Sequence, residues 1–274
     1  MSFNEEKPQA TNGIKMTVRW RLLETGPAPG PYTAALDEAI ARSRATGEVP
    51  DTLHLYRRRP PAVTLGYSLD AQNEVDLEYC RHNRIDVVRR LSGGGAIYTD
   101  DRQLVYSLTT KGLLPSSVPE SLKLVCNALA WGISALGAPA VFSPVNDVLV
   151  NGRKVSGSAQ ARKWGVVLTH GTVLVDGDRE EMFRALRVPA PKLGKRSLKD
   201  PGERVTTLRE ELGRLPPMDE VERAVILGFK QAFGAEAVSG RPTAAEKAMA
   251  EELTRTRYGN PEWNLGRGRR CSTE

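Results

Sequence analysis

Two runs of small residues beside basic side chains are placed where chemistry could be done. The first, Arg89-Arg90-Leu91-Ser92-Gly93-Gly94-Gly95, ends a β-like stretch on three glycines. A backbone without Cβ atoms lets a ligand approach closely and offers unpaired N–H donors to an anion or a carbonyl. Arg90 adds a fixed cation able to hold a carboxylate or phosphate in two-pronged fashion. No Gly-Lys-Ser follows, so this is not a Walker A loop, and a flexible hairpin tip is its other reading. The second run is Gly152-Arg153-Lys154-Val155-Ser156-Gly157-Ser158-Ala159. Its small residues leave room for a flat or extended ligand, and a preorganised Lys154 would offset charge building up in a transition state. On its own, the same lysine reads more readily as a solvent-pointing strand residue. Asn146-Asp147 stands before this run and His170-Gly171-Thr172 after it; three histidines in all give no cluster for a metal.

Strands and turns must position these residues. Trp20 to Leu23 reads as a first strand, and the apolar spacing of Ala34, Ala35, Leu36, Ala39 and Ile40 predicts a helix to about Ala45. Leu53 to Arg57, Ala62 to Tyr67, Ile85 to Leu91 and Leu104 to Thr109 read as strands, with a short helix over Asp76 to Asn83. A buried-faced helix is expected from Pro119 to Leu136, stopped by Gly137 and Pro139. The period then changes to two: Val145 to Val150, Lys154 to Ala161 and Val166 to Val175 are three strands, the first pair joined at an Asn151-Gly152 hairpin turn. Helical spacing returns in Met182 to Leu186, Val205 to Leu212, Met218 to Phe233 and Ala244 to Tyr258. The class is α+β, a mixed β-sheet core with flanking helices. The basic loop 190–202 reads as a mobile lid or a simple solvated loop.

Composition narrows the setting. With 39 basic and 33 acidic side chains the net charge is +6, which favours acidic partners without naming one. Cys80, Cys126 and Cys271 are odd in number and widely spaced, which argues against a disulfide framework and for a reducing cytoplasm. No stretch approaches the length of a membrane span, and no aromatic-basic stripe marks a nucleic-acid surface. Residues 1–16 read as a disordered extension and 265–274 as a basic tail, leaving 17–264 as the folded domain.

Taken together, Arg89 to Asp100, Asn146-Asp147, Gly152 to Ala159 and His170 to Thr172 resemble, in order and spacing, the lipoate-protein ligase family. The resemblance spans roughly residues 19–264, including Arg204-Val205-Thr206 and Glu262-Trp263-Asn264-Leu265-Gly266. It implies a biotin/lipoate protein ligase-like fold that activates lipoate with ATP and Mg²⁺ to lipoyl-adenylate, then acylates a lysine of an acidic lipoyl-domain protein. Such acceptors include the E2 subunit of 2-oxoacid dehydrogenases and the glycine cleavage H protein. Lys154 would then be the catalytic cation. Arg90, Ser92, Gly93, Gly94, Gly95, Tyr98, His170 and Thr172 would bind the lipoyl and adenylate group, and Asn146, Asp147, Ser156, Gly157 and Ala159 the nucleotide. No metal ligands follow from the resemblance.

Two departures bear on the acyl chain: Tyr98-Thr99-Asp100 stands where the family commonly has Tyr/Phe-His-Asp, and Thr169-His170-Gly171-Thr172 where it has His-His-Gly-Thr. Two-domain members continue beyond the Trp-Asn segment, so a separate accessory-domain protein is expected here. The rival within the superfamily is an ATP-independent octanoyl or lipoyl transferase, which forms a thioester on a cysteine a little upstream of the Gly-Arg-Lys segment. This chain has no cysteine between Pro139 and Asn146. A non-catalytic module that docks lipoyl domains is a third reading.

Overall fold

The computed structural model describes residues 18–187 and 204–266. The expected loop at 190–202 and both expected tails lie outside, or almost wholly outside, that range. Strands β1 (Val18–Ala28), β2 (Thr52–Arg58), β3 (Ala62–Leu65), β4 (Asp86–Arg89), β5 (Ile97–Thr99), β6 (Gln103–Thr110), β7 (Ala140–Ser143), β8 (Asp147–Val150), β9 (Arg153–Lys163), β10 (Val166–Leu174) and β11 (Ala235–Ser239) form two sheets. The larger has the order β11-β1-β2-β6-β10-β9-β8-β7, with β1 parallel to both its neighbours and the remaining pairs antiparallel; the smaller is β4-β3-β5. Helices α1 (Gly30–Thr46), α2 (Ala71–Glu74), α3 (Leu77–His82), α4 (Val118–Ala135), α5 (Arg179–Ala185), α6 (Leu208–Leu212), α7 (Met218–Phe233), α8 (Ala244–Leu253) and α9 (Pro261–Leu265) flank them, and a π-helical turn, Thr254–Tyr258, extends α8. This is the expected mixed sheet with flanking helices.

Both faces of the large sheet are covered. Against one, α4 and α7 bury Val125, Leu129, Val221, Val225 and Phe229 on Trp20, Leu53, Tyr106 and Val155. Those two helices nearly touch: a Cβ at Gly228 would lie 2.1 Å from the Ala128 carbonyl oxygen. On the other face, α1 and α8 meet through Ala35, Leu36, Ile40, Ala250, Leu253 and Tyr258, and the small sheet covers what α1 leaves open. Helix ends follow sequence chemistry. Ser117 caps α4 through the Glu120 amide, and Thr243 with Glu246 makes a capping box on α8.

The Asn151-Gly152 turn has both residues at positive φ, as a two-residue hairpin requires. Three strands escaped the sequence reading: β5, β7 and β11. Each has five residues or fewer, too few alternations to show a period of two.

Candidate active site

Strand alternation sorts the side chains. His54, Ser107, His170 and Ala159 lie in one cross-strand row, and Val105, Thr172 and Gly157 two residues along in another. The odd and even positions of β9 and β10 then part company. Gly157, Ala159, His170 and Thr172 border a cavity of about 290 Å³, roofed by Gly94, Gly95 and Tyr98. Ser158 lines the cavity with its backbone neighbours, but its hydroxyl turns to the core, bonding Tyr106 Oη at 2.7 Å and Cys126 Sγ at 3.4 Å. A Cβ on Gly171 would collide with the Tyr106 ring at 2.8 Å, which is why glycine stands between His170 and Thr172.

The cavity has an apolar wall of Ile97, Leu174, Met182, Phe183, Leu186 and Val205. Lys154 and Asn146 stand in its lining on the sheet side. Lys154 Nζ is 2.7 Å from Asp147 Oδ1 and lies over Gly157, where any Cβ would fall 2.7 Å from the lysine nitrogen. With its side chain 38% exposed, Lys154 contributes charge at the cavity and little to the core.

Arg90 is buried, and its guanidinium closes the glycine loop on itself. Nη2 donates to the Gly93 and Gly95 carbonyls, Nη1 to Thr64 O, and Nε to Ser92 Oγ at 3.0 Å. Burial, with Arg58 nearby, pushes its pKa down to about 10. The loop also leans on Gly66, whose Cβ would sit 2.0 Å from the Gly94 carbonyl oxygen. Behind Ser92 runs a buried polar chain. Ser92 Oγ is 2.6 Å from His170 Nε2, His170 Nδ1 is 3.8 Å from Asp37 Oδ2, and Asp37 also accepts from Tyr56 Oη and pairs with His54 Nδ1, both at 2.9 Å. Burial lowers the His170 pKa, so the imidazole is neutral at pH 7. Burial alone would raise the Asp37 carboxyl, but hydrogen bonds from His170 and His54 outweigh it and hold it well below the usual carboxylate range.

Arg89, adjacent to Arg90 in sequence, does a different job. Its guanidinium donates to the carbonyls of Gly66, Tyr67, Leu69, Trp263, Asn264 and Gly266, and its amide to Asn264 Oδ1. The Trp263-Asn264 segment is thereby tied to the end of β4 from which the glycine loop starts.

The sequence-predicted residues therefore divide. Arg90, Gly94, Gly95, Tyr98, Asn146, Lys154, Gly157, Ala159, His170 and Thr172 line one cavity. Ser92 is buried behind it, Gly93 is on the exposed side of the loop, and Asp147 reaches it only through Lys154. Ser156 shares the core-facing side of β9 with Ser158 and does not line the cavity, so it stands apart from the residues it was expected to join around a nucleotide. Sequence reasoning missed Asp37 and Arg58. The signal for Asp37 was an Asp-Glu pair set inside the apolar face of α1.

Cys80 and Cys126 are buried and unpaired, and burial pushes both thiols up to about 11. Cys126 is on the far side of the sheet from Lys154's cavity, and Cys271 lies outside the described residues. Among the described residues no thiol borders the cavity.

Residues 29–230 match the family described as the lipoyl protein ligase A/B catalytic domain. The chain is 37% identical over 273 residues to the octanoyltransferase LipM of Symbiobacterium thermophilum, covering 91% of this chain and 99% of that one. It is 35% identical to LipM of Kyrpidia tusciae, covering 89% and 98%. Among solved structures, a bi-partite lipoate protein ligase from Thermoplasma acidophilum, studied with its E2 lipoyl domain, superposes with a TM-score of 0.81 at 32% identity, covering 94% of this chain and all of that one. The end-to-end similarity to octanoyltransferases overturns the expectation of an ATP-dependent lipoate ligase acting through an adenylate. The motifs misled because they build a cavity with an apolar wall and a lysine, which fits either chemistry. No helix among the described residues is long and apolar enough to cross a membrane.

Proposed function

The chain belongs to the lipoyl protein ligase A/B catalytic-domain family, and from that premise we propose that it transfers an octanoyl or lipoyl group, without ATP, to a lysine of a lipoyl-domain protein. The observation that carries this reading is a cavity that combines a long apolar wall with Lys154. Its volume of about 290 Å³ is near the lower end of small-molecule sites, about 300–1,000 Å³, and suits one medium-length acyl chain. The whole-length kinship with LipM supports octanoyl as the group carried. The lipoyl domain studied with the Thermoplasma ligase supports the acceptor class.

The acyl carbonyl lies beside Lys154, and the chain tail runs along Ile97, Leu174 and Met182 toward Arg90 and His170. The acceptor amine attacks the carbonyl of an acyl thioester: the C–N bond forms, the C–S bond breaks, and the amine proton ends on the departing thiolate. The Lys154 ammonium stabilises the oxyanion formed on the way. Since no thiol among the described residues faces the cavity, the acyl group passes directly from donor to acceptor.

Octanoyl thioester and a lipoyl-domain acceptor, incubated with the chain and no nucleotide, should give an acceptor octanoylated on one lysine by mass spectrometry. Acylation that appears only with free octanoate or lipoate plus ATP would overturn the reading.

A further inference from the structure

Arg58, at the end of β2, is buried to 5% exposure beside Arg90 at 6%, and both line the acyl cavity. Arg58 Nε donates to Thr33 Oγ1 at 3.2 Å and Nη1 to Thr99 Oγ1 at 2.9 Å; Arg90 donates only to carbonyls and to Ser92. Every one of these partners is uncharged. Among the described residues no carboxylate comes within ion-pair distance, 4.0 Å, of either guanidinium. Asp86 acts on Arg58 only from beyond that distance, its carboxylate accepting from the Gly30 amide. Asp37 borders the inner end of the same region, but its oxygens are taken by His54, Tyr56 and His170.

Two buried cations without a paired anion are costly, because burial removes their hydration and each repels the other. Thr64 also lines this end of the cavity, and its hydroxyl oxygen is buried with no hydrogen-bond partner. The remaining contact of the Arg58 guanidinium among the described residues is with Tyr56, which is also uncharged. Thr64 and the two guanidiniums thus line the same cavity as His170, the ring on which both arginine charges act. Thr99 gives the sequence-level reason. It stands where the resemblance predicts histidine, and its small hydroxyl both admits the Arg58 guanidinium and accepts from it.

We propose that Arg58 and Arg90, with Thr64, form a subsite for a carboxylate at the far end of the acyl chain, so that this chain prefers ω-carboxylated acyl groups of medium length over plain octanoyl. The inference deepens the acyl-transfer reading by naming the substrate class. A guanidinium pair meets a carboxylate with charge-assisted, bidentate hydrogen bonds, and the ligand supplies the missing anion. A methyl-ended tail would leave both cations unpaired.

Binding separates this from the transfer reaction, because it needs neither donor thioester nor acceptor. Calorimetric titration with octanedioate and with octanoate should show octanedioate tighter by about ten- to a hundredfold, the return on one charge-assisted contact. Arg58→Met should abolish or invert that preference, and Arg58→Lys should keep part of it. Thermal melting without ligand establishes that each variant folds. Equal or weaker binding of octanedioate by the unaltered chain, failure of both acids to bind, or an unchanged preference in a folded Arg58→Met chain would each overturn the proposal. Inorganic phosphate competing as well as octanedioate would also overturn it, by making the subsite a simple anion hole. Octanoyl transfer measured in parallel reports on the reaction itself, so either idea can fail without the other.

Discussion

The Ser92 hydroxyl lies 2.6 Å from His170 Nε2, and a third residue fixes the direction of that hydrogen bond. The Asp37 carboxylate can only accept, so it favours a hydrogen on the Nδ1 that faces it and leaves Nε2 to accept from Ser92 Oγ, which itself accepts from Arg90 Nε. Asp37 on α1 thus sets the tautomer of a strand histidine, which in turn orients the serine beside the glycine loop. The arrangement resembles a nucleophile, base and orienting acid, but Ser92 is buried and does not border the cavity. Its role is to hold Arg90.

Ser92→Ala should leave two buried nitrogens, Arg90 Nε and His170 Nε2, without partners. Each orphaned group costs about 1–3 kcal/mol, so a fall in unfolding free energy of at least that size is expected in denaturant titration, with weaker binding of the acyl group. Unchanged stability would show that the chain of hydrogen bonds does not organise the loop.

Lys154→Ala should reduce acyl transfer by about 10²–10³-fold, the usual loss for one oxyanion-stabilising group, while melting stays close to that of the unaltered chain. Its pair with Asp147 is partly exposed and adds little stability. Gly157→Ala, which would drive a Cβ to 2.7 Å from the lysine nitrogen, should give a similar loss by displacement. A kinetic comparison of the two variants checks both expectations, and near-normal transfer by Lys154→Ala would remove the lysine from the mechanism.

Direct transfer predicts that Cys80, Cys126 and Cys271 are dispensable. Cys126 is small and buried, so Cys126→Ala tests it with less disturbance than serine. Mass spectrometry of the chain after incubation with octanoyl thioester should find no acyl adduct. A hydroxylamine-sensitive adduct on any of the three cysteines would place a thioester on the path instead.

Stability should fall as the medium is acidified from about pH 7 to about pH 5. His170 has a folded pKa below its ordinary 6.5 because it is buried, so the unfolded chain binds more protons in that window and gains on the folded one. Above the unfolded pKa both states are neutral at this residue, and the effect vanishes. His170→Gln should flatten that part of the profile in denaturant melts taken across the range. An unaltered slope would assign the pH dependence elsewhere.

Much of the scaffold is legible in the sequence because it is written in local chemistry. The helix over α4, the Asn151-Gly152 hairpin and the alternation of β8 to β10 depend on neighbours within a few residues, which a linear reading sees. The order of their motifs grouped Arg90, Lys154, Gly157, His170 and Thr172, and one cavity gathers them. What the linear reading could not decide was facing and pairing. Ser156 and Gly157 are adjacent in sequence yet turn to opposite sides of a sheet. Arg89 and Arg90 look alike, but one holds the chain's carboxy-terminal segment and the other the glycine loop. Asp37, Arg58 and Thr99 meet the site from α1, β2 and β5, separated by up to 62 residues in sequence, and only the packing of α1 and the small sheet against the end of β2 brings them together. That no acid among the described residues pairs with Arg58 is a property of that assembly: it depends on which acids arrive within reach, and no stretch of sequence contains that information.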